Sequence, residues 1–200
     1  MDAEELKPEA LSLKRSAEDA EDPYARRPRL TDDARDVESA AAQAVVCFHT
    51  QGTPLLFHDS AGRAHRLTFH QLLDQSLDFM EDSHDFMQPL FPLTTRSLVA
   101  PKSPTLSVQQ IQELPRESLL RAADAMESFF TYQHEMGNLH GHNNLRITRI
   151  LKCLALRGLS REARAFRDFA VGLTGESRIS STYWDPVVDD LGEDSDQESP

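Results

Sequence analysis

The sequence predicts an all-α fold: one compact multi-helix domain with an αα-hairpin near its C-terminal end, flanked by disordered acidic tails. Three observations predict it. In the middle of the chain, apolar residues recur at i, i+3 and i+4 with little strict alternation, the period of amphipathic helices rather than strands. Helix starts are marked by paired cap residues, Thr68 with Gln71 and Ser107 with Gln110. The net charge of −12 lies wholly in the two ends.

Residues 1–40 carry 7 Lys/Arg against 12 Asp/Glu and residues 185–200 carry none against 7, which leaves 14 against 14 between them. Both ends are poor in aromatic and β-branched residues, so burial there cannot offset the entropy of ordering the chain. Residues 1–38 therefore read as a disordered tail, 39–185 as the helical domain and 186–200 as a second disordered, acidic tail. No apolar run approaches the roughly 18 to 20 residues of a membrane-spanning helix. The first ten residues are acidic rather than signal-like, so a protein kept inside the cell is expected. Cys47 and Cys153, far apart, form neither a disulfide framework nor a zinc-ligand spacing. Acidic tails around a neutral core also repel polyanions, which counts against nonspecific nucleic-acid binding.

Within the first tail, Lys14 and Arg15 stand ten residues before a second basic cluster, Arg26, Arg27 and Arg29. Two cationic clusters on an extended spacer suit two separate acidic pockets of a nuclear import receptor. The expected partner is that receptor, and the expected location the nucleus.

The elements follow in order. A helix is expected after Asp36, through the alanine-rich stretch that ends near Phe48. The segment from Thr53 to Leu67 is the one place for a short hairpin, with Asp59 to Gly62 as its turn. Thr68 and Ser107 cap helices, with Leu67 and Leu72, then Leu106 and Ile111, as hydrophobic staples. After Ser76, the residues Leu77, Met80, His84 and Met87 fall on one helical stripe that Pro89 and Pro92 stop. Pro115 suits the first turn of a longer helix whose buried face is Leu119, Ala122, Ala123, Met126, Phe129 and Phe130, closed by Gly137. Asn143 or Asn144 then caps a helix with Ile147, Ile150, Leu151 and Leu154 inward, and Gly158 ends it. Ser160 caps the last long helix, with Ala163, Phe166, Phe169, Ala170 and Leu173 inward. Tyr183 and Trp184 are read as aromatic anchors.

Three functions compete for the stretch from His142 to Leu159. A helix-turn-helix over residues 147–170 would read DNA; residues 146–178 hold 8 basic against 3 acidic residues. Its second helix, however, mixes Arg161, Arg164 and Arg167 with Glu162 and Asp168 and lacks the amide side chains that read base edges. A metal site would draw on His134, His140 and His142, but only Glu135 stands nearby and no Cys. No metal and no cofactor are expected. There is no nucleophile elbow, phosphate-binding glycine loop or paired acid constellation, so no enzyme is expected either.

The third reading comes from resemblance. His84, Phe86, Met87, Gln88, Leu90, Phe91, Pro92 and Leu93 form one block, and His142, Asn143, Asn144, Leu145, Arg146, Ile147, Thr148, Arg149, Ile150 and Leu151 a second. Together they resemble the two signature blocks of the opioid growth factor receptor conserved domain, over roughly residues 48–184. Pro89 stands where that family usually has tryptophan. The chain is identified as a short, stand-alone member without the C-terminal repeats. The resemblance implies an all-helical domain, association with the nucleus or nuclear membrane without a transmembrane segment, and receptor signalling toward an opioid-like peptide or protein ligand.

The expected function is thus a non-catalytic binding and regulatory module, with a helix-turn-helix DNA-binding regulator as the alternative. The candidate ligand-binding residues are His84, Gln88, His142, Asn143, Asn144, Arg146 and Arg149, because the apolar stripe accounts for its neighbours and packing does not require these polar positions. Two arginines three residues apart beside a helix N-terminus can hold an anion or a peptide carboxylate. They can equally form structural ion pairs with Asp82 and Asp85.

Overall fold

The computed structural model describes residues 32–96, 103–139 and 141–191. Helix α1 spans Asp32–Gln51, one turn ahead of the expected start at Asp36. Strands β1 (Leu55–His58) and β2 (Ala64–Leu67) pair antiparallel, with Leu55 opposite Leu67 and His58 opposite Ala64. The fold is therefore mainly α, with the one hairpin where the sequence placed it. Its turn is held by Asp59, whose carboxylate accepts from the amides of Ala61 and Arg63 and from the Arg63 and His65 side chains. The Arg63 amide foremost holds the Asp59 carboxyl down at about 2.

Helix α2 (Phe69–Leu73) and helix α5 (Val108–Gln112) both begin with complete capping boxes, Thr68 with Gln71 and Ser107 with Gln110. Each satisfies two backbone donors that a helix start otherwise leaves unpaired. The stripe expected over residues 77–87 is not one helix. Helix α3 (Leu77–Asp82), capped by Ser76, stops at Ser83, and a short helix α4 (Met87–Leu90) follows. Long-range polar bonds enforce the break: the Ser83 hydroxyl donates to the His58 carbonyl, and Asp85 accepts from the His58 amide and ring. Pro89 sits inside α4 instead of stopping it, at a first-turn position whose amide needs no partner.

Helix α6 (Arg116–Glu135) buries the predicted face from Leu119 to Phe130. Helix α7 (His142–Arg157) packs against α5, α6, helix α8 (Ser160–Thr174) and helix α9 (Asp185–Asp189). Ile147, Ile150, Leu151 and Leu154 are fully buried, as their spacing requires. Gly158 ends α7 in the left-handed conformation (φ 82°), which only glycine adopts at little cost. The expected side-chain caps are absent: Gly141 and Leu159 precede α7 and α8, Asn143 and Ser160 lie within the helices, and neither start has a side-chain cap bond.

A turn of π-helix, Ser180–Trp184, leads into α9 and carries regular structure past residue 185. Trp184 is fully buried and its indole N–H donates to the Thr148 hydroxyl at 3.1 Å. Tyr183 is exposed and anchors nothing in the core, because adjacent residues on a helical turn point in different directions. Phe48 of α1 packs on Phe57 and Phe69. Beside it the buried His49 bonds Ser118 Oγ (3.0 Å) and the Pro89 carbonyl (2.8 Å), joining α1 to α4 and α6. Since a carbonyl only accepts, the His49 Nε2–H donates to Pro89, and the one Ser118 hydroxyl proton is shared between His49 Nδ1 and the Pro115 carbonyl at 2.9 Å. Burial pushes the His49 pKa down to about 4.

Candidate functional site

The break between α3 and α4 lies against the first two turns of α7. Arg146 enters that junction and is 5% exposed. Its guanidinium lies between the rings of Phe86 (5.5 Å) and Phe129 (5.2 Å). It donates to the carbonyl of Ser83 at 3.0 Å, the carbonyl of Glu81 at 3.4 Å and Asn143 Oδ1 at 3.3 Å. The Glu81 carboxylate stands 3.6 Å away, an ion pair rather than a hydrogen bond. Burial lowers the Arg146 pKa to about 10, with Glu81 acting the other way. This is a structural clamp, as one of the two sequence readings held, but its partners are Glu81 and backbone carbonyls. Asp85 is engaged by His58 instead.

Arg149, one turn on, is held differently. Its Nε–H donates to the Phe91 carbonyl at 2.8 Å, and Nη2 donates to Gln88 Oε1. No carboxylate pairs with it among the described residues, and burial lowers its pKa to about 10. Gln88 is 3% exposed. Because a guanidinium has no acceptor, the amide oxygen of Gln88 must face Arg149, which leaves Nε2 without that partner. That buried Nε2 has no hydrogen-bond partner among the described residues.

His84, Met87, Gln88, His142, Leu145, Arg146 and Arg149 line one cleft of about 80 Å³ between α4 and α7. Five of the seven residues singled out from sequence meet there. Asn143 lies fully buried behind the cleft, bridging the Asn138 carbonyl to Arg146, and Asn144 offers its carbonyl to Thr148 within α7. Packing thus does require Asn143, Arg146 and Gln88, against the expectation that it would not. His84, expected inward, is exposed; its ring lies 5.4 Å from that of His142. His142 Nε2 meets Glu81 Oε1 at 3.1 Å. Burial, then Arg146, lowers the His142 pKa, with Glu81 opposing. Glu81, Met87 and Leu145 were missed as site residues; Glu81 stood in the same acidic run as Asp82 and Asp85, and only the helix break distinguishes it.

At about 80 Å³ the cleft has several times the roughly 10–15 Å³ that one ordered water needs, room for a small chemical group. Whole drug-sized ligands take pockets of about 300–1,000 Å³. The lining offers cationic and amide donors, two imidazoles and an apolar lip, Leu145, which is 62% exposed. It contains no hydroxyl or thiol nucleophile. Cys153, on the buried side of α7, has its thiol pushed up to about 12 by burial.

The other readings gain nothing here. Among the described residues no His/Cys/Asp/Glu group is arranged to hold a metal ion; His140 lies outside them. On the proposed DNA-reading helix, Arg167 is bound by Asp185, Asp168 and Glu176, and Arg164 donates to the Leu191 carbonyl. The C-terminal segment thus occupies side chains that would have faced phosphates. The import-type residues Lys14, Arg15, Arg26, Arg27 and Arg29 lie outside the described residues. No helix among the described residues is long and apolar enough to cross a membrane.

No protein-family model matches the chain, and no solved structure matches it significantly. Curated proteins do. The opioid growth factor receptor of mouse is 33% identical over 105 residues, covering 41% of this chain and 16% of the mouse protein. The rat receptor is 33% identical over 105 residues, covering 41% and 18%. The human receptor is 35% identical over 106 residues, covering 41% and 15%. The chain spans less than a fifth of the length of these relatives.

Proposed function

From a chain that carries an opioid growth factor receptor-like domain, we propose a non-catalytic binding module that regulates by holding a peptide or protein ligand at the cleft between α4 and α7. The observation that carries this reading is the pair Arg149 and Gln88. Among the described residues this is a largely buried cation with no carboxylate partner beside a buried amide donor with no acceptor, an arrangement that costs stability unless a ligand supplies the acceptor. Perturbed polar groups gathered in a cleft are candidates for a functional site. The name of the relatives supports an opioid-type peptide as the first ligand to try. The paired basic clusters at Lys14–Arg15 and Arg26–Arg29 support nuclear residence.

Calorimetry on the full chain with an opioid pentapeptide tests the ligand. Binding that falls at least tenfold in Leu145→Glu, a change on the exposed lip, is the expected result. Equal affinity in that variant would move the site elsewhere, and silence with the wild-type chain would remove the peptide. A reporter fused to residues 1–40 and found in the cytoplasm would remove the nuclear assignment.

A further inference from the structure

We propose that the α4–α7 cleft is a carboxylate site, recognising a single carboxylate carried on a short apolar stub such as the end of a peptide chain. The inference rests on the cleft being the ligand site, and not on the ligand being an opioid peptide.

Donor geometry comes first. Of the five N–H groups of the Arg149 guanidinium, one goes to Phe91 and one to Gln88, which leaves three without an acceptor among the described residues. Gln88 Nε2 is a further donor held beside them and unable to flip, because its oxygen is fixed by Arg149. A guanidinium edge with a neighbouring amide donor matches the two oxygens of a carboxylate. The acceptor needed is therefore anionic and small.

Charge then separates carboxylate from phosphate. Arg146 is balanced by Glu81, so Arg149 is the arginine of the cleft that has no carboxylate partner among the described residues. A carboxylate brings one negative charge and balances it. A phosphate monoester brings about 1.5 to 2, and the surplus would face Glu81, which already lies against His142 and Arg146.

Size and polarity fix the remainder of the ligand. About 80 Å³ admits a carboxylate with a few carbons, and Met87 and Leu145 give those carbons an apolar wall. The chain bearing the carboxylate would leave past Leu145, which is exposed.

The test is a nitrogen-15 NMR titration of the full chain at low salt with N-acetyl-leucine, its carboxamide and inorganic phosphate. The reporters are the Gln88 side-chain amide and the Arg149 Nε–H. The free acid should shift both, with the carboxamide and phosphate each at least tenfold weaker. Arg149→Lys, which keeps the charge and removes the fork, should weaken the acid at least tenfold. Because Arg149 also holds the Phe91 carbonyl, His84→Glu provides a second variant on the exposed rim, and should weaken it several-fold with the fold intact. No shift with the acid, equal shifts with acid and carboxamide, or tighter binding of phosphate would each overturn the proposal. N-acetyl-leucine that binds when the opioid pentapeptide does not would remove the peptide reading and keep this one. Pentapeptides binding equally as free acid and C-terminal amide would do the reverse.

Discussion

Arg146→Ala should destabilise the domain far more than any change to its acidic partner. The side chain is 5% exposed and makes three hydrogen bonds, so its removal leaves the carbonyls of Ser83 and Glu81 and the Asn143 amide oxygen short of donors. A buried acceptor left without its donor costs about 1–3 kcal/mol, and three are left here. Loss of the contacts with Phe86 and Phe129 adds to the cavity, a cation–π pair being worth about 0.5–2 kcal/mol. We expect a loss of about 4 kcal/mol, which at about 2–4 °C per kcal/mol lowers Tm by roughly 10–15 °C. Glu81→Ala should cost about 1 kcal/mol, because its carboxylate stands 3.6 Å from the guanidinium and is partly exposed. Urea unfolding of the two single variants and the double variant gives the coupling, expected to stay below about 1 kcal/mol. An Arg146→Ala loss smaller than that of Glu81→Ala would show that the ion pair, and not the carbonyl clamp, holds α7 to the α3–α4 junction.

Stability should also fall in mild acid through His49. Its folded pKa of about 4 lies below the unfolded 6.5, so the unfolded chain binds the extra proton first. The contribution, about 3 kcal/mol at 1.36 kcal/mol per unit, is fully present above pH 6.5, declines as pH falls and is gone below pH 4. Urea midpoints at pH 7 and 4.5, with a flatter dependence in His49→Gln, check it. Trp184→Phe removes the bond to Thr148 and part of a buried ring, for about 1–2 kcal/mol. The wild-type emission of this sole tryptophan should be blue-shifted and move red only on unfolding. Under native conditions iodoacetamide should modify the half-buried Cys47 first and spare Cys153, whose thiol is fully buried and held near 12. Mass spectrometry of the alkylated peptides gives the order.

Much of the helical scaffold was legible because its signals are local. The boxes Thr68–Gln71 and Ser107–Gln110, the stripe from Ile147 to Leu154 and the glycine at 158 depend on residues within a turn or two of one another. The failures share a different cause. The segment from Leu77 to Met87 has the right period for one helix, yet Ser83 and Asp85 bond the end of β1, some 25 residues away in the chain. Periodicity carries no trace of that partner. Cap placement at α7 and α8 failed for a related reason: Asn143 is taken into the core by Asn138 and Arg146. Five of the seven candidate residues, His84, Gln88, His142, Arg146 and Arg149, converge on one cleft. Their roles were not legible, because an arginine on a helix face looks the same whether it meets a carbonyl, an acid or open space.

The break at Ser83 is what separates those roles. Inside a continuous helix the carbonyls of Glu81 and Ser83 would accept from amides four residues on, and Arg146 would find only side chains. Because α3 stops, with the Ser83 amide making its last bond to Phe79, both carbonyls turn to α7 and receive the Arg146 guanidinium. The same junction spends its nearby acids, Glu81 on Arg146 and His142, Asp85 on His58. Among the described residues no carboxylate pairs with Arg149, three residues further along α7. A helix end thus satisfies the first arginine with backbone and leaves the second with its charge facing the cleft, so scaffold and site come from one local interruption.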